Sequence, residues 1–174
     1  MTAHTADLAP AELAAARALV RDAFDGDLTD EDWGHTLGGM HALVHDERGL
    51  VAHGAVVMRR ARYGGRRLRV GCAEGVAVRA DARRRGHGGT VTAALEGVVA
   101  RAYDLVALSA GDDGARLCAA RGRRVCGGRL CALGPDGVVR LPDEEGSTCV
   151  WPVPADGDDP DAELLFDWRD GDVL

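Results

Sequence analysis

The alternation of apolar and polar positions along the chain predicts a mixture of helices and strands. Apolar residues recur at helical spacing between Pro10 and Phe24, and Pro10 suits the first turn of a helix. Similar spacing and capping residues predict helices at Thr29–Trp33, Gly89–Tyr103 and Asp112–Arg121. Apolar runs bounded by turn residues predict strands at Met40–Asp46, Leu50–Arg62, Leu68–Val78, Leu105–Ser109, Val125–Leu133 and Thr148–Val153.

The order of these elements predicts the fold class. Two helices precede three strands, and a helix, a strand, a helix and two strands follow, which leaves room for only one or two parallel crossovers. We therefore expect a mixed sheet of the α/β (α+β) class. A length of 174 residues, without an internal repeat or a linker, fits a single domain over residues 1–174.

Membrane and export signals are not evident in the sequence. No apolar run reaches the roughly 18 residues that a membrane-spanning helix needs, so we expect no membrane partner. The first residues lack the basic and apolar regions of a signal peptide. We therefore expect a cytoplasmic location.

The cysteines and histidines predict neither a disulfide framework nor a metal site. The five cysteines are an odd number without a Cys-x-x-Cys pair, and most are expected to be small buried apolar residues. His41 and His45 lie four positions apart, but no third ligand is evident. We expect no bound metal.

Charge is distributed unevenly along the chain, whose net charge is −7. All charged side chains between positions 22 and 32 are acidic, and acids dominate from Asp143 to the end of the sequence. Between Arg59 and Arg85, all charged residues are arginines except the two acids Glu74 and Asp81. The basic middle indicates an anionic cofactor, and the acidic ends indicate a cationic partner while disfavouring nucleic acid.

The chemistry is concentrated at the end of the third predicted strand. The apolar residues Val76, Ala77 and Val78 are followed by a cluster of arginines and glycines and then by a helix. Backbone N–H groups of glycines and a helix N-terminus bind phosphate, and the arginines add full positive charges. The candidate phosphate-binding residues are Arg83, Arg84, Arg85, Gly86, His87, Gly88 and Gly89. Upstream, the isolated carboxylate of Glu74 is a candidate general base.

The loop Arg83-Arg-Arg-Gly-His-Gly88 resembles the R/Q-x-x-G-x-G/A pattern of the GNAT family of acetyl-CoA-dependent N-acetyltransferases. The resemblance implies a mixed, mostly antiparallel sheet flanked by helices, with a splayed central strand pair. It also implies that the loop binds the pyrophosphate of acetyl-CoA or coenzyme A. A surface arginine turn is the structural alternative, and a Rossmann unit is disfavoured because several elements precede the loop.

Longer segments resemble the aminoglycoside 2'-N-acetyltransferases within that family. They include Asp32-Trp-Gly-His-Thr-Leu-Gly-Gly-Met-His41, Glu74-Gly-Val-Ala-Val-Arg-Ala-Asp81, Ala107-Leu-Ser109 and Asp167-Trp-Arg-Asp-Gly-Asp-Val173. The resemblance implies acetylation of the 2'-amine of a cationic aminoglycoside, in resistance or self-protection. It also implies a homodimer.

The same resemblance implies roles for individual residues. Glu74 would act as the general base through a water molecule. The strand Val76–Val78 would pair with the pantetheine arm, and a backbone N–H of that strand would bind the thioester oxygen. The implied substrate contacts are Asp27, Asp32, Glu74, Gly75, Ser109, Glu144, Asp172 and the terminal carboxylate of Leu174.

The chain departs from the family pattern in one helix. The family has a tyrosine that protonates the leaving thiolate, whereas this chain reads Leu117-Cys-Ala-Ala-Arg-Gly122. Cys118 occupies that position and is the candidate acid. Arg123 replaces the family's aromatic residue after Gly122. Two alternatives stay open: a GNAT enzyme for another cationic amine or biosynthetic intermediate, and a non-catalytic acyl-CoA-binding module.

Overall fold

A computed structural model describes residues 1–151 and 161–170. Within these ranges the α-helices are α1 Pro10–Ala23, α2 Asp30–Gly34, α3 His87–Ala102 and α4 Asp112–Ala120. The strands are β1 Thr2–His4, β2 Met40–Asp46, β3 Gly49–Tyr63, β4 Arg66–Val78, β5 Leu105–Ser109, β6 Arg124–Val125, β7 Leu130–Gly134, β8 Gly137–Arg140, β9 Thr148–Trp151 and β10 Leu164–Asp167. Short 3-10 helices occur at Thr5–Asp7, Ala80–Ala82 and Pro142–Glu144.

The chain divides into two compact units, each with its own set of contacts. The first unit comprises residues Met1–Val57 and Ala73–Arg101. The second comprises Met58–Cys72 and Ala102–Leu174. The long strands β3 and β4 therefore contribute one part to each unit.

The first unit combines an antiparallel set of strands with three helices. β2 pairs with β1 and with β3, and a bulge shifts the β2–β3 register between Val44 and His45. Helix α1 buries Ala16, Leu19 and Val20, which pack with Trp33 and Ala77 in one apolar cluster. Burial of this face stabilises α1, because a helix of this length is marginal in water on its own.

The second unit is a sheet with the strand order β6-β9-β5-β4-β3-β10-β7-β8. β4 runs parallel to β5, β10 runs parallel to β7, and the remaining pairs described in this unit are antiparallel. The largest core side chains are Leu105, Leu130, Leu164 and Phe166, each at most 1% exposed. The mixed, mostly antiparallel sheet flanked by helices confirms the expected fold class.

The predicted helices are confirmed, but the strand predicted over Val125–Leu133 was wrong. The chain forms β6 and β7 separately, with Gly128 between them. A Cβ atom on Gly128 would lie 2.1 Å from the carbonyl oxygen of Ala162, so the backbone passes too close to that segment to continue as one strand. The pattern also missed β1, β8 and β10. Val153, the end predicted for the last strand, lies outside the described residues.

Candidate active site

Glu74 and Gly75 lie in β4 at a point where the backbone leaves the regular strand conformation. Gly75 has φ +54°, a left-handed value that residues with a side chain rarely adopt. A Cβ atom there would lie 3.1 Å from Thr36 Cγ2 and 3.4 Å from Val20 Cγ2. The backbone conformation therefore favours glycine beside the half-buried side chain of Glu74, and any larger residue would also make a tight contact with Thr36.

Two histidines that the site prediction did not include lie next to this irregularity. His53 Nδ1 is 2.9 Å from the carbonyl oxygen of Gly75, and His53 Nε2 is 2.9 Å from His41 Nδ1. Both imidazoles are fully buried. Burial lowers the pKa of His53 to about 4, and burial also lowers the pKa of His41. The sequence signal that could have indicated His53 is its position inside the apolar run that forms β3.

The arginine-rich loop follows β4 directly and leads into α3. Arg83, Arg84 and Arg85 are all exposed, and Arg84 takes the left-handed φ of +63°. Helix α3 begins at His87 and packs closely on β3. The close packing is evident at Gly54 of β3, where an added Cβ would lie 2.7 Å from Val91 Cγ1 of α3. The structure thus presents cationic side chains and a helix N-terminus together, a donor set that fits a pyrophosphate.

Arg79 belongs to the basic middle of the sequence but is engaged in ion pairs. Its guanidinium pairs with Asp46, at the end of β2, and with Asp81, which also pairs with Arg48. The hydrogen bonds from Arg79 lower the pKa of both carboxyl groups. The backbone N–H of Arg79 also donates to Val51 O at 2.9 Å. Arg79 therefore anchors the start of the loop, and Asp81 is neutralised beside it.

The predicted substrate-binding acids of the first unit differ in their surroundings. Asp27 is exposed, whereas Asp32 is half-buried in the first turn of α2. The Oδ2 atom of Asp32 accepts hydrogen bonds from Thr29 N at 3.1 Å and from Thr29 Oγ1 at 2.7 Å. This capping box fixes the Asp32 carboxylate while it closes the N-terminus of α2.

The second unit brings together two residues that the sequence predicted separately. Ser109 ends β5, and its hydroxyl donates a 2.6 Å hydrogen bond to Glu144 Oε2. Glu144 lies in the 3-10 helix Pro142–Glu144. A carboxylate held by a serine hydroxyl is an orientated acceptor for a cationic donor.

Cys118 lies inside a small packed cluster of the second unit. Its side chain is 1% exposed and packs with Ala110 and Cys149. Arg123 Nη1 lies 3.9 Å from Cys118 Sγ, and the Arg123 guanidinium stacks 3.6 Å from the centre of the Trp151 ring. The pKa of Cys149 is raised to about 12, mainly by burial and to a smaller extent by a hydrogen bond with Cys118. The two residues that depart from the family pattern therefore contact each other.

The C-terminal segment packs into the second unit through β10. Leu164 and Phe166 are buried, and Asp167 accepts a 2.9 Å hydrogen bond from Nε of the buried Arg59. Asp172 and Leu174, the predicted tail contacts with the substrate, lie outside the described residues.

Among residues 1–151 and 161–170, the structure contains no group of three or more potential metal ligands, and His45 is exposed while His41 is buried. The same part of the chain contains no helix long and apolar enough to cross a membrane.

Comparison with solved structures defines the fold. A GNAT family N-acetyltransferase from Escherichia coli, solved in complex with CoA, superposes with a TM-score of 0.62 at 16% identity over 95% of this chain and 88% of that one. A GNAT family acetyltransferase from Brucella melitensis, solved with acetyl-CoA, gives a TM-score of 0.59 at 11% identity over 94% and 93% of the two chains. The fold is that of the GNAT N-acetyltransferases.

Comparison with characterised sequences identifies the family within the GNAT N-acetyltransferases to which the chain belongs. No family model matches the chain. An aminoglycoside 2'-N-acetyltransferase from Mycolicibacterium fortuitum is 44% identical over 173 residues, covering 98% of this chain and 89% of the relative. The chain belongs to the aminoglycoside 2'-N-acetyltransferase family.

Proposed function

We propose that the protein transfers the acetyl group of acetyl-CoA to the 2'-amine of an aminoglycoside. Membership of the family supports this reaction, and one structural observation supports it most directly. Within one compact unit, the half-buried Glu74 precedes the Gly75 irregularity, and the strand Val76–Val78 leads to an exposed arginine loop at a helix N-terminus. A base, a strand edge and a phosphate-binding element are the parts that acetyl transfer from a coenzyme A thioester needs.

Glu74 removes the proton that blocks attack by the amine. An aliphatic ammonium has a pKa of about 10 in water, so it is charged at neutral pH and carries no free lone pair. Glu74 accepts this proton through a water molecule, and the neutral amine forms the N–C bond as the C–S bond of the thioester breaks. A backbone N–H of Val76–Val78 stabilises the negative charge that develops on the carbonyl oxygen.

The cofactor-binding residues fit coenzyme A by their chemistry. When bound, acetyl-CoA supplies the acetyl group as a thioester. Arg83, Arg84 and Arg85 offer guanidinium groups to the pyrophosphate, and residues Gly86 to Gly89 offer backbone N–H groups at the start of α3.

Carboxylates select the cationic acceptor. Each charge-assisted hydrogen bond from an ammonium group contributes about 1.5–3 kcal/mol. The proposed contacts are Asp27, Asp32, Glu74, Gly75, Ser109, Glu144, Asp172 and the carboxylate of Leu174. A different cationic amine is the second candidate acceptor, because Arg123 and Cys118 stand where the family has aromatic residues.

Cys118 is the proposed proton donor to the leaving thiolate. Its thiol is 1% exposed and is held by Cys149 and Arg123, so this role requires the thiolate to approach the buried sulfur. The variant Cys118→Ala is expected to lower kcat, because solvent then has to supply the proton to the leaving thiolate. Cys126→Ala, a buried cysteine outside the cluster, is the matched control. An unchanged kcat for Cys118→Ala would remove this role from Cys118.

The experiment that tests the function follows the release of free thiol from acetyl-CoA. Wild type is expected to turn over with an aminoglycoside that has a 2'-amine and to be inactive with an analogue that lacks it. Glu74→Gln is expected to lose about 100- to 10,000-fold in kcat, the range for a general base. No turnover with any 2'-amino acceptor would refute the proposal, and full activity of Glu74→Gln would refute the assignment of the base.

The biological role follows from the same reaction. Acetylation removes a positive charge from the antibiotic, so we propose a role in resistance or self-protection in the cytoplasm, where acetyl-CoA is made. Expression in a susceptible bacterium is expected to raise the inhibitory concentration of 2'-amino aminoglycosides only. We also propose a homodimer.

A further inference from the structure

A continuous line of hydrogen bonds runs through the interior of the first unit. It joins Gly38 N to Thr5 Oγ1 at 2.9 Å, Thr5 Oγ1 to His41 Nε2 at 2.8 Å, and His41 Nδ1 to His53 Nε2 at 2.9 Å. It ends where His53 Nδ1 meets the carbonyl oxygen of Gly75 at 2.9 Å. The steps proposed for acetyl transfer use neither histidine.

The direction of this line is fixed by its two ends. A carbonyl oxygen can only accept, so His53 Nδ1 donates to Gly75. His53 is neutral near neutral pH because burial lowers its pKa to about 4, so its Nε2 has no hydrogen and accepts from His41 Nδ1. Burial also lowers the pKa of His41, so its Nε2 carries no hydrogen and accepts from the Thr5 hydroxyl at 2.8 Å, a shorter contact than the 3.3 Å from that hydroxyl to the Gly39 carbonyl oxygen. Thr5 Oγ1 itself accepts from the N–H of Gly38. Both imidazoles are therefore Nδ1–H tautomers.

The line of hydrogen bonds ends at Gly75, where the β4 backbone leaves the regular strand conformation. Glycine has the widest choice of backbone conformations, so the peptide that follows Gly75 has no intrinsic preference for one orientation. In a trans peptide the C=O of Gly75 and the N–H of Val76 point in opposite directions. A bond that holds the Gly75 carbonyl toward His53 therefore also sets the direction of the Val76 N–H.

We propose that His53, oriented by His41, is a positioning residue for acetyl transfer. It fixes the plane of the Gly75–Val76 peptide, and with it the Val76 N–H and the backbone that precedes it at Glu74. The buried pair acts through this peptide and touches neither acetyl-CoA nor the aminoglycoside. The inference rests on the proposed function, since Glu74 and Val76 have positions to be fixed only if they take part in that reaction.

Variants of His53 separate positioning from packing. His53→Leu removes the donor to Gly75, and we expect kcat to fall about 10- to 100-fold, the size of effect that a misplaced reacting group produces. We expect the KM for acetyl-CoA to change less than about threefold, because the phosphate-binding loop is untouched. His53→Asn retains an N–H near the position of Nδ1 and is expected to restore most of kcat.

Two control variants distinguish the expected fall in kcat from a general loss of stability and from the removal of a histidine elsewhere. Leu43→Ala removes a fully buried side chain of β2 that takes no part in the line of hydrogen bonds. His45→Leu removes an exposed histidine of the same strand. Both controls are expected to retain the wild-type kcat well below their unfolding temperatures. A kcat of His53→Leu equal to that of Leu43→Ala, or no recovery in His53→Asn, would overturn the positioning role.

Nitrogen NMR of histidine-labelled protein tests the geometry without activity. The wild type is expected to show two neutral Nδ1–H imidazoles near neutral pH, and Nε2–H signals for both would overturn the proposal. Failure of the proposed function is distinguishable, because wild type itself would then show no turnover. If wild type is active and His53→Leu is unimpaired, only the positioning role fails.

Discussion

At the scale of single residues, Gly75 is a position whose backbone conformation favours glycine directly beside Glu74. Its left-handed φ is unfavourable for any residue with a Cβ, and such a Cβ would press on Thr36 and Val20. Glycine adopts this conformation without strain, so the irregularity next to Glu74 depends on the absence of a side chain at position 75. The surrounding side chains of α1, the α2–β2 segment and β3 keep that conformation in place.

Gly75→Ala is expected to lower the free energy of unfolding by about 1–3 kcal/mol, the cost of a strained backbone conformation, and to abolish most activity. Urea unfolding and thiol release measure the two effects. Gly97→Ala is the matched control in α3, where φ is ordinary and nothing lies within 4 Å of the added Cβ. That variant is expected to be more stable by about 0.5–1 kcal/mol. Equal stabilities for the two variants would contradict the role assigned to the Gly75 backbone.

The buried histidines make stability depend on pH. Burial lowers the pKa of His53 from 6.5 to about 4, so the unfolded chain binds more protons than the folded protein between these values. The free energy of unfolding therefore falls as the pH drops below 6.5 and is retained in full above it, with a slope of at most about 1.4 kcal/mol per pH unit for one group. His53→Asn is expected to flatten this part of the profile in denaturant titrations, whereas an unchanged slope would show that His53 is not the group responsible.

At the scale of elements, short segments hold the candidate acids in place. The Thr29–Asp32 capping box belongs to α2, and the Ser109–Glu144 hydrogen bond joins the end of β5 to a 3-10 helix. Each acid was a plausible solvated surface charge in the sequence. Its local hydrogen bonds orient the carboxylate before any ligand binds, which lowers the cost of ordering it in a complex.

Glu144→Gln removes the negative charge and keeps the shape of the side chain. We expect the KM for the aminoglycoside to rise about tenfold or more, since each tenfold change corresponds to about 1.4 kcal/mol, while the KM for acetyl-CoA is unchanged. Asp143→Asn, an exposed neighbour, is the control and is expected to leave both constants near wild type. A parallel rise in both KM values would indicate a folding defect and would contradict a specific contact with the acceptor.

Element boundaries were predicted where the local pattern was strong. Met40–Asp46 and Leu105–Ser109 were predicted to the residue, because they are apolar runs bounded by turns. β1 and β8 have too few residues to form a pattern, and they become strands only by pairing with β2 and β7. The division between β6 and β7 depends on the approach of Gly128 to Ala162, which no local pattern encodes.

At the scale of the whole molecule, ion pairs between distant positions redistribute the charge. Part of the positive charge in the basic middle of the sequence is neutralised by ion pairs. Arg59 pairs with Asp167, Arg69 with Asp104, and Arg79 with Asp46. The pair of Arg69 with Asp104 is exposed and contributes little to stability, whereas Arg59 is buried in its pair with Asp167. The exposed arginines Arg83 to Arg85 therefore remain as the cationic group at the start of α3.

The proposed homodimer has a candidate surface in the second unit. β8 ends the strand order, and Leu133, Val138 and Val139 are 56%, 59% and 42% exposed beside that edge. Exposed apolar edge strands favour association. Val138→Asp is expected to shift the protein from dimer to monomer in analytical ultracentrifugation, whereas Val125→Asp, at another exposed apolar position, is expected to leave the dimer intact. A wild type that sediments as a monomer would rule out the homodimer.

The sequence by itself determined the family and the fold class and predicted a phosphate-binding loop, because these depend on local patterns and on contiguous motifs. Glu74, Val76–Val78 and Arg83–Gly89 are all adjacent in the chain. The tertiary structure alone decided which residues lie around them. His53 meets Gly75, His41 meets Thr5, and Arg123 meets Cys118 and Trp151 only because strands and helices pack side by side. Contacts between residues far apart in sequence depend on register and packing, and no local pattern records either.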